Sequence, residues 1–319
     1  MMGHQGRTAF LFPGQGSQFI GMGKAVFEAY PEARDAFEEA DEALHFALST
    51  LCFEGDEQEL RRTENTQPAI LTVSVALFRV LCAAGADAEW MAGHSLGQYS
   101  ALVAAGSLSL PDAVQLVRRR GRYMQEAVPE GQGAMAAILG LDAQGVVAVC
   151  DQVMAEGAET VQPANFNSPG QVVVAGHHDA VARAVEVARD RGARRAKLLS
   201  VSAPFHCSLM RPAAERLRAD LARVEFSDPR VPVICNVDAV ALTQATEIPS
   251  ALSRQVTSPV RWADGLRAID AAGAERYVEV GPGKVLAGLT KRTLGPVTVS
   301  SVQEPSDIAA ELALRAGRD

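Results

Sequence analysis

The sequence predicts an α/β protein with a parallel sheet that is interrupted by a smaller inserted unit. Short apolar segments alternate with amphipathic helical segments over residues 8–127, as is typical of parallel sheets. Between residues 134 and 200 the order changes to βαββαβ, the split pattern of ferredoxin-like units. After this unit strands and helices alternate again, so the first sheet is expected to continue there.

Before the insertion, the elements follow from apolar runs, helical periodicity and the residues that end them. Pro13-Gly14 ends the first strand, Pro31 lies in the first turn of a charged amphipathic helix, and Gly85 is placed to stop a more buried helix. We predict, in order, strand 8–12, helix 31–44, helix 68–84, strand 90–92, a helix that ends near residue 105, and helix 111–127.

The middle of the chain predicts a compact subdomain, after which the main domain continues. The predicted elements are strand 134–139, helix 142–155, strand 160–164, strand 172–175, helix 179–191 and strand 196–200, then helix 208–224, strand 231–236, helix 259–272 and strand 276–280. We therefore expect a large α/β domain formed by residues 1–130 and 203–319, with residues 131–202 as the inserted subdomain.

Composition and charge argue against several classes of protein. Hydrophobic residues make up 48% of the 319-residue chain, and the formal net charge of −8 argues against general nucleic-acid binding. The five cysteines include no C-x-x-C pair, so we expect neither a disulfide framework nor a metal site. Residues 1–8 lack an apolar signal core, and the apolar stretch 69–84 is too short to span a bilayer. We expect a cytoplasmic protein without a membrane segment.

The segment Gly93-His94-Ser95-Leu96-Gly97 lies between a predicted strand and a predicted helix. This G-x-S-x-G spacing is that of a nucleophile elbow, in which small flanking residues allow a turn that presents the serine Oγ at a helix N-terminus. The backbone N–H of Leu96 could hold an oxyanion there. The alternative is a serine that only caps the helix.

A serine nucleophile needs a base, and the chain has six histidines. His206 is the candidate because it follows a predicted strand, in a loop of the kind where α/β enzymes place catalytic groups. His94 should point away from Ser95, and the other histidines lie in a tail, after an acidic helix or in the inserted unit. The alternative for His206 is a cap on the following helix.

Arg120 lies on the apolar face of helix 111–127, between Val117 and Met124. A guanidinium on a buried face needs a carboxylate or phosphate partner. That partner belongs either to the protein, as an internal salt bridge, or to a substrate.

A glycine-rich loop, residues 12–18, follows the first predicted strand. Its first two glycines fit the G-x-G-x-x-G motif of dinucleotide-binding proteins, but Phe19 occupies the position of the third glycine, so that motif is not present. We interpret the loop as a second backbone wall of a site.

Seven motifs run in order along nearly the whole chain. They are Phe-Pro-Gly-Gln-Gly-Ser-Gln at 12–18, Gly-His-Ser-Leu-Gly at 93–97, Arg-Gly-Arg-Tyr-Met-Gln at 120–125, Ala-Asn-Phe-Asn-Ser-Pro-Gly-Gln at 164–171, Pro-Phe-His-Cys at 204–207, Ser-Pro-Val-Arg-Trp at 258–262 and Glu-Val-Gly-Pro-Gly-Lys at 279–284. Jointly they are highly specific, and with them the chain resembles the malonyl-CoA:acyl carrier protein transacylases of bacterial fatty-acid synthesis.

The resemblance implies a role for each matched position. Ser95 matches the acylated serine, and His206 matches its general base. Gln15 and Leu96 match the residues whose backbone N–H groups form the oxyanion hole. Gln255 is similar to the residue whose backbone carbonyl orients the histidine, in place of the aspartate of a hydrolase triad. The implied fold is an α/β-hydrolase-like core with a ferredoxin-like insertion.

For selectivity, the resemblance implies that Arg120 pairs with the malonyl carboxylate. In related polyketide acyltransferase domains, phenylalanine at the position of Phe205 accompanies malonyl rather than methylmalonyl selection. One departure is Gln98, because the family commonly has glutamate after the elbow. The change removes one negative charge from the first turn of the helix, an effect of roughly 0.3–1 kcal/mol.

The implied reaction transfers malonyl from malonyl-CoA to the phosphopantetheine thiol of acyl carrier protein through a malonyl-serine ester, without a metal or redox cofactor. We expect a monomer whose partners are malonyl-CoA and the carrier. Three alternatives stay open: a serine thioesterase or hydrolase shares the elbow, a trans-acting polyketide acyltransferase shares the chemistry, and a degenerate homologue would only dock carriers.

Carrier docking needs a local basic patch, because carrier proteins are usually acidic and this chain is acidic overall. Two clusters of basic residues qualify, and either could instead be a solvated face. They are Arg118, Arg119 and Arg122 in the first, and Arg189, Arg191, Arg194, Arg195 and Lys197 in the second.

Overall fold

The computed structural model describes residues 7–157, 159–201 and 203–316, and these residues form ten strands and fourteen α-helices. The strands are β1 (Thr8–Phe12), β2 (Trp90–Gly93), β3 (Gly133–Leu139), β4 (Val161–Ser168), β5 (Gln171–His177), β6 (Arg195–Leu198), β7 (Val233–Ile234), β8 (Ala241–Leu242), β9 (Arg276–Val280) and β10 (Thr298–Val302). The helices are α1 (Lys24–Ala29), α2 (Pro31–Leu44), α3 (Leu48–Glu54), α4 (Glu57–Arg61), α5 (Thr63–Ala83), α6 (Gly97–Ala104), α7 (Leu110–Glu126), α8 (Ala143–Ala155), α9 (His178–Asp190), α10 (Arg211–Leu221), α11 (Ile248–Gln255), α12 (Trp262–Ala271), α13 (Val285–Leu294) and α14 (Pro305–Ala316).

Six strands form the central sheet, in the order β10-β9-β1-β2-β7-β8. Neighbouring strands are parallel except for β8, which runs antiparallel to β7. Both faces of the sheet are covered, since Phe10 and Phe12 pack into one apolar cluster while Ala9 and Leu11 pack into another. Phe12 pairs with Gly93, so the glycine-rich loop and the elbow emerge side by side at the carboxyl edge of the sheet.

The inserted unit forms a second, antiparallel sheet in the order β4-β5-β3-β6. Helices α8 and α9 pack on it, and the apolar cluster between them draws only on residues from Ala134 to Ala196. The chain order β3-α8-β4-β5-α9-β6 is the predicted βαββαβ unit. The predicted fold class, an α/β protein with a parallel sheet and an inserted ferredoxin-like unit, is confirmed.

Helix α5 differs from its prediction. It begins at Thr63, five residues before the expected start, and holds Pro68 inside it. Proline usually marks a helix start because it lacks an N–H, but burial of nearly the whole helix outweighs one missing hydrogen bond. Because α5 begins earlier than predicted, the whole helix is long and apolar enough to cross a membrane by length and composition, although the predicted stretch 69–84 is shorter. Its most apolar window is 83% buried within the protein, as in a core helix.

Candidate active site

The elbow between β2 and α6 is as tight as the sequence predicts. Ser95 adopts a left-handed backbone conformation with φ of 53°, which is rare outside glycine. A Cβ on Gly93 would lie 1.9 Å from the carbonyl group of Gly97, and one on Gly97 would lie 2.0 Å from the carbonyl oxygen of Phe12. Both glycines are therefore required for the turn. The Ser95 hydroxyl does not cap α6, which has no side-chain cap.

Ser95 and His206 lie in direct hydrogen-bonding contact. The Oγ of Ser95 is 2.7 Å from Nε2 of His206, and Nδ1 of the same ring is 2.8 Å from the backbone carbonyl oxygen of Gln255. Because a carbonyl only accepts hydrogen bonds, Nδ1 carries the proton and the lone pair of Nε2 faces the serine hydroxyl. The imidazole thus binds Ser95 and Gln255 rather than capping the next helix.

His206 is buried and held in the neutral state. Burial lowers the pKa of His206 to about 3, the charge of Arg120 adds to this shift, and the hydrogen bond to Gln255 opposes it. A neutral imidazole near pH 7 can accept the serine proton, which is what a general base requires.

Gln15 and Leu96, whose backbone N–H groups the resemblance assigns to an oxyanion hole, line the same cavity as Ser95. Gln15 is exposed in the glycine-rich loop after β1, while Leu96 is buried at the start of α6. Among the described residues, neither N–H donates a hydrogen bond to another protein group. Both are therefore available to an oxyanion formed on a carbonyl that Ser95 attacks.

Arg120 is 1% exposed, and its guanidinium is surrounded by neutral groups. It donates to Oε1 of Gln67 at 2.7 Å, to Oε1 of Gln255 at 3.0 Å and to Oγ of Ser95 at 3.2 Å, and it lies over the ring of Tyr99. No carboxylate of the described chain forms a salt bridge with it, so the internal ion pair considered above is not found there. The cation next to the nucleophile is left for a ligand to pair with.

A network of amides that the sequence analysis missed supports the elbow. Asn236 accepts a hydrogen bond from the backbone N–H of Ser95 at 2.8 Å and donates to the carbonyl oxygen of Gly93 at 2.8 Å. The amide of Gln255 donates to the backbone oxygen of Ser95 and to Gln98. Asn236 ends the predicted strand 231–236, and a polar residue at the carboxyl end of a parallel strand was a signal that could have found it.

The inserted unit forms hydrogen bonds to the main domain beside the site. Nε2 of His94 lies 2.8 Å from Oδ1 of Asn167 on β4, so His94 points away from Ser95 toward the small sheet. The backbone of Ser208, just after His206, donates to the side chain of Gln162 on β4. Strand β4 therefore contacts the segments that carry both the nucleophile and the base.

A cavity of about 630 Å³ opens between the two sheets, and Ser95, His206 and Arg120 all line it. The inserted unit contributes Met135 and the segment 199–201 to its wall. In the described part of the chain no acidic residue lines it, whereas two arginines do. The cavity is thus electrostatically suited to an anionic ligand.

Comparison with known proteins agrees with this geometry. The acyl transferase domain family matches residues 9–308. The malonyl CoA-acyl carrier protein transacylase of Escherichia coli (strain K12) is 52% identical over 307 residues, which cover 96% of this chain and 99% of that protein. The solved structure of the transacylase from Coxiella burnetii has a TM-score of 0.95 at 42% identity, covering 98% of this chain and 99% of that one.

A second solved structure shows a relative bound to a carrier. It is a malonyl-transacylase in complex with a type II PKS acyl-carrier protein, with a TM-score of 0.94 at 45% identity, covering 97% of this chain and 99% of that one. Sequence and structure thus agree over almost the full length of each relative. The chain belongs to the acyl transferase domain family and, within it, to the malonyl CoA-acyl carrier protein transacylases.

Proposed function

We propose that this protein transfers malonyl from malonyl-CoA to the phosphopantetheine thiol of acyl carrier protein in fatty-acid synthesis, through an ester on Ser95. One observation carries the proposal: the Ser95 hydroxyl lies between a neutral imidazole and a buried arginine that has no carboxylate partner among the described residues. The first group activates the nucleophile, and the second selects an acyl group that ends in a carboxylate.

In the acylation half, His206 accepts the hydroxyl proton of Ser95 as Oγ attacks the thioester carbonyl of malonyl-CoA. The oxyanion that forms accepts hydrogen bonds from the N–H groups of Gln15 and Leu96. The intermediate collapses, the carbon–sulfur bond breaks, and the imidazolium returns its proton to the leaving thiolate of coenzyme A. The carbonyl of Gln255 holds Nδ1–H, and so keeps the ring in the tautomer that this transfer needs.

In the transfer half, the carrier thiol takes the place of the serine as nucleophile. His206 accepts the thiol proton, the sulfur attacks the ester carbonyl, and the same two N–H groups hold the second oxyanion. The bond to Oγ then breaks and the proton returns to Ser95, which regenerates the free enzyme. Every step uses side chains and backbone groups of this chain.

The proposed function predicts that turnover depends on a carrier. With malonyl-CoA and a phosphopantetheinylated carrier, we expect malonyl on the carrier thiol and one free coenzyme A for each transfer. Mass spectrometry of the carrier measures the added malonyl group. Without a carrier, release of coenzyme A should stop after about one equivalent, because the acyl-enzyme has no acceptor. Continuous release of free malonate would instead identify a thioesterase or hydrolase.

The second basic cluster is the better candidate for carrier docking. In the first cluster Arg119 pairs with Asp220, Arg122 lies near Glu126, and Arg118 stacks on Phe46, so its charges are largely engaged. The residues of the second cluster are exposed and, within the described chain, form no salt bridge.

The second cluster also adjoins the cavity. Arg195 and Lys197 lie on β6, at the edge of the small sheet, and the segment 199–201 that follows lines the cavity wall. An acidic carrier bound here would hold its phosphopantetheine arm close to the entrance. We therefore propose β6 and the adjoining end of α9 as the docking surface.

Charge-reversal variants test which of the two basic clusters docks the carrier. We expect the double variant Arg195→Glu/Lys197→Glu to lower kcat/KM for the carrier by about tenfold or more, because charges at the rim of an interface mainly govern the association rate. Self-acylation by malonyl-CoA should not change, and the defect should shrink as salt is added. The matched control is Arg118→Glu with Arg122→Glu; a larger loss in that control would assign docking to the first cluster.

Three further expectations belong to this proposal. We propose a cytoplasmic protein, which is supported by five cysteines that are all free thiols. We propose a monomer, since one chain supplies every group that the reaction uses. We also propose residues 131–202 as the inserted subdomain, with residues 1–130 and 203–319 as the catalytic domain; positions 1, 202 and 319 lie outside the described residues.

A further inference from the structure

The turn that joins β7 to β8, residues 235–240, lies beside the active site and has a constrained backbone. The N–H of Cys235 donates to the carbonyl oxygen of Val240, and the N–H of Ala239 donates to that of Cys235. Ala239 adopts a left-handed conformation with φ of 56°, which is unfavourable for a residue with a side chain. Such a conformation persists where the surrounding contacts hold it.

Asn236, at the start of this turn, holds the elbow. Its Oδ1 accepts hydrogen bonds from the backbone N–H of Ser95 at 2.8 Å and from Nε2 of Gln255 at 3.2 Å. Its backbone N–H donates to Gln98, and its carbonyl oxygen accepts from the N–H of Arg261. The first part of the turn is therefore fixed relative to the nucleophile.

Asp238, two residues further along the turn, binds the end of α11. The Nη1 of Arg254 donates to its Oδ1 at 2.9 Å and Nη2 donates to its Oδ2 at 2.6 Å, so the pair is bidentate. These hydrogen bonds lower the pKa of Asp238, so both partners are charged near pH 7. The two side chains are 47% and 40% exposed, and they can be replaced without opening the core.

Arg254 is followed by Gln255, the last residue of α11. The carbonyl at a helix end has no partner within the helix, and that of Gln255 accepts the Nδ1–H of His206 at 2.8 Å. The chain leaves the helix at this point through a hydrogen bond from the N–H of Thr257 to the carbonyl oxygen of Arg254. The position of Arg254 therefore governs where the carbonyl that holds the base lies.

We propose that Asp238 and Arg254 are positioning residues that keep His206 aligned with Ser95, because one turn holds both the elbow and the end of α11. Neither residue touches the substrate or the reacting atoms; the pair acts through Gln255. It should therefore affect the rate of the chemical step for any acyl group. The inference rests on the proposed function, because it requires His206 to act as the base for Ser95.

Arg254→Ala removes the ion pair, and alanine maintains the helix. We expect kcat for acylation of Ser95 to fall about fivefold with malonyl-CoA and acetyl-CoA alike, the upper end of what an exposed ion pair contributes, with KM nearly unchanged. Asp238→Ala should have a similar effect, and the double variant should lose no more than either single variant, because each removes the same pair. Arg254→Lys should restore part of the rate.

Arg183→Ala in the inserted unit is the matched control. Arg183 on α9 donates two hydrogen bonds to Glu156, at 3.0 and 3.4 Å, and the two side chains are 42% and 36% exposed. This variant also loses a two-point ion pair between separate elements. Because that pair has no connection to the Gln255 carbonyl, kcat should stay at the wild-type value.

The Nδ1–H of His206 gives a second readout that a merely stabilising ion pair would not change. A hydrogen-bonded imidazole proton is observed by proton NMR in water downfield of the backbone amides, and its absence in His206→Ala identifies it. The resonance should move upfield or broaden in Arg254→Ala and Asp238→Ala. It should keep its position in Arg183→Ala.

The experiment measures single-turnover acylation at saturating acyl-CoA, together with this resonance, in variants whose thermal unfolding shows that they are folded. A non-additive loss of kcat shared by both acyl groups, with a changed resonance, supports the proposal. Unchanged kcat and an unchanged resonance would overturn it. A loss confined to KM or to transfer to the carrier would also overturn it, since Arg254 would then bind a substrate. Wild-type protein that forms no acyl-serine would instead overturn the proposed function.

Discussion

Arg120→Ala is expected to lose transfer of malonyl while keeping or gaining transfer of acetyl. Removing one member of a buried charge pair costs about 2–5 kcal/mol, which is roughly thirty-fold to a few thousand-fold in affinity. Malonyl transfer should fall by a factor in that range, because the acyl carboxylate loses both hydrogen bonds of the guanidinium. Acetyl-CoA has no carboxylate, and Ser95, His206 and the two N–H groups of the oxyanion hole remain in place.

The ratio of the two kcat/KM values, measured in folded mutant protein, is the readout for this variant. Arg120→Lys is the control, and it should restore only part of the malonyl activity, since an ammonium group cannot reproduce the planar fork. If Arg120 were only structural, both substrates would lose activity equally. The ratio would then be unchanged, and selectivity would have to arise elsewhere in the cavity.

His206→Ala is expected to slow acylation of Ser95 by about 10²–10⁴-fold, the usual contribution of a positioned general base. The loss should appear with malonyl-CoA and acetyl-CoA alike, because the imidazole acts on the serine proton and not on the acyl group. Single-turnover release of coenzyme A measures this step directly. An acylation rate within threefold of wild type would exclude His206 as the base.

The pH dependence of the wild type tests the same residue. Because the pKa of His206 is lowered to about 3, the neutral base is present above that pH and is lost as the pH falls through it. The acid limb of kcat/KM should therefore lie well below the ordinary histidine value of about 6.5. Pairing of a substrate carboxylate with Arg120 removes part of the repulsion, so the acid limb of kcat should lie at higher pH. A limb near 6.5 in kcat/KM would contradict the buried, neutral state.

The sequence predicted the elements whose signal is local. The elbow could be recognised because the strand, the G-x-S-x-G turn and the helix are contiguous. The βαββαβ unit could be recognised because each of its elements shows the hydrophobic periodicity of a strand or a helix. Arg120 could be singled out because its neighbours at helical spacing are apolar. Each of these patterns lies in one contiguous stretch of the sequence, so no tertiary information was needed to find it.

Features that depend on distant contacts could not be predicted in this way. Helices α3 and α4 span only seven and five residues, too few for a reliable helical period, and no element was predicted there. Gln67 carries no chemical signature of its own and gains meaning only when folding brings it to Arg120. The position of Asn236 at a strand end hints at a site, but its partner, the backbone N–H of Ser95, is set by folding. The neutral amide network is therefore a property of the tertiary structure.

Covalent catalysis by Ser95 can be checked by the mass of the intact protein after mixing with malonyl-CoA. The Ser95 hydroxyl lies 2.7 Å from a neutral base at a strained turn, and we expect it to be the site of the covalent ester. Wild type should gain the mass of one malonyl group, which peptide mapping should place on Ser95, and Ser95→Ala should gain none. Labelling that persists in Ser95→Ala, or that maps to Cys207 beside the base, would contradict the account.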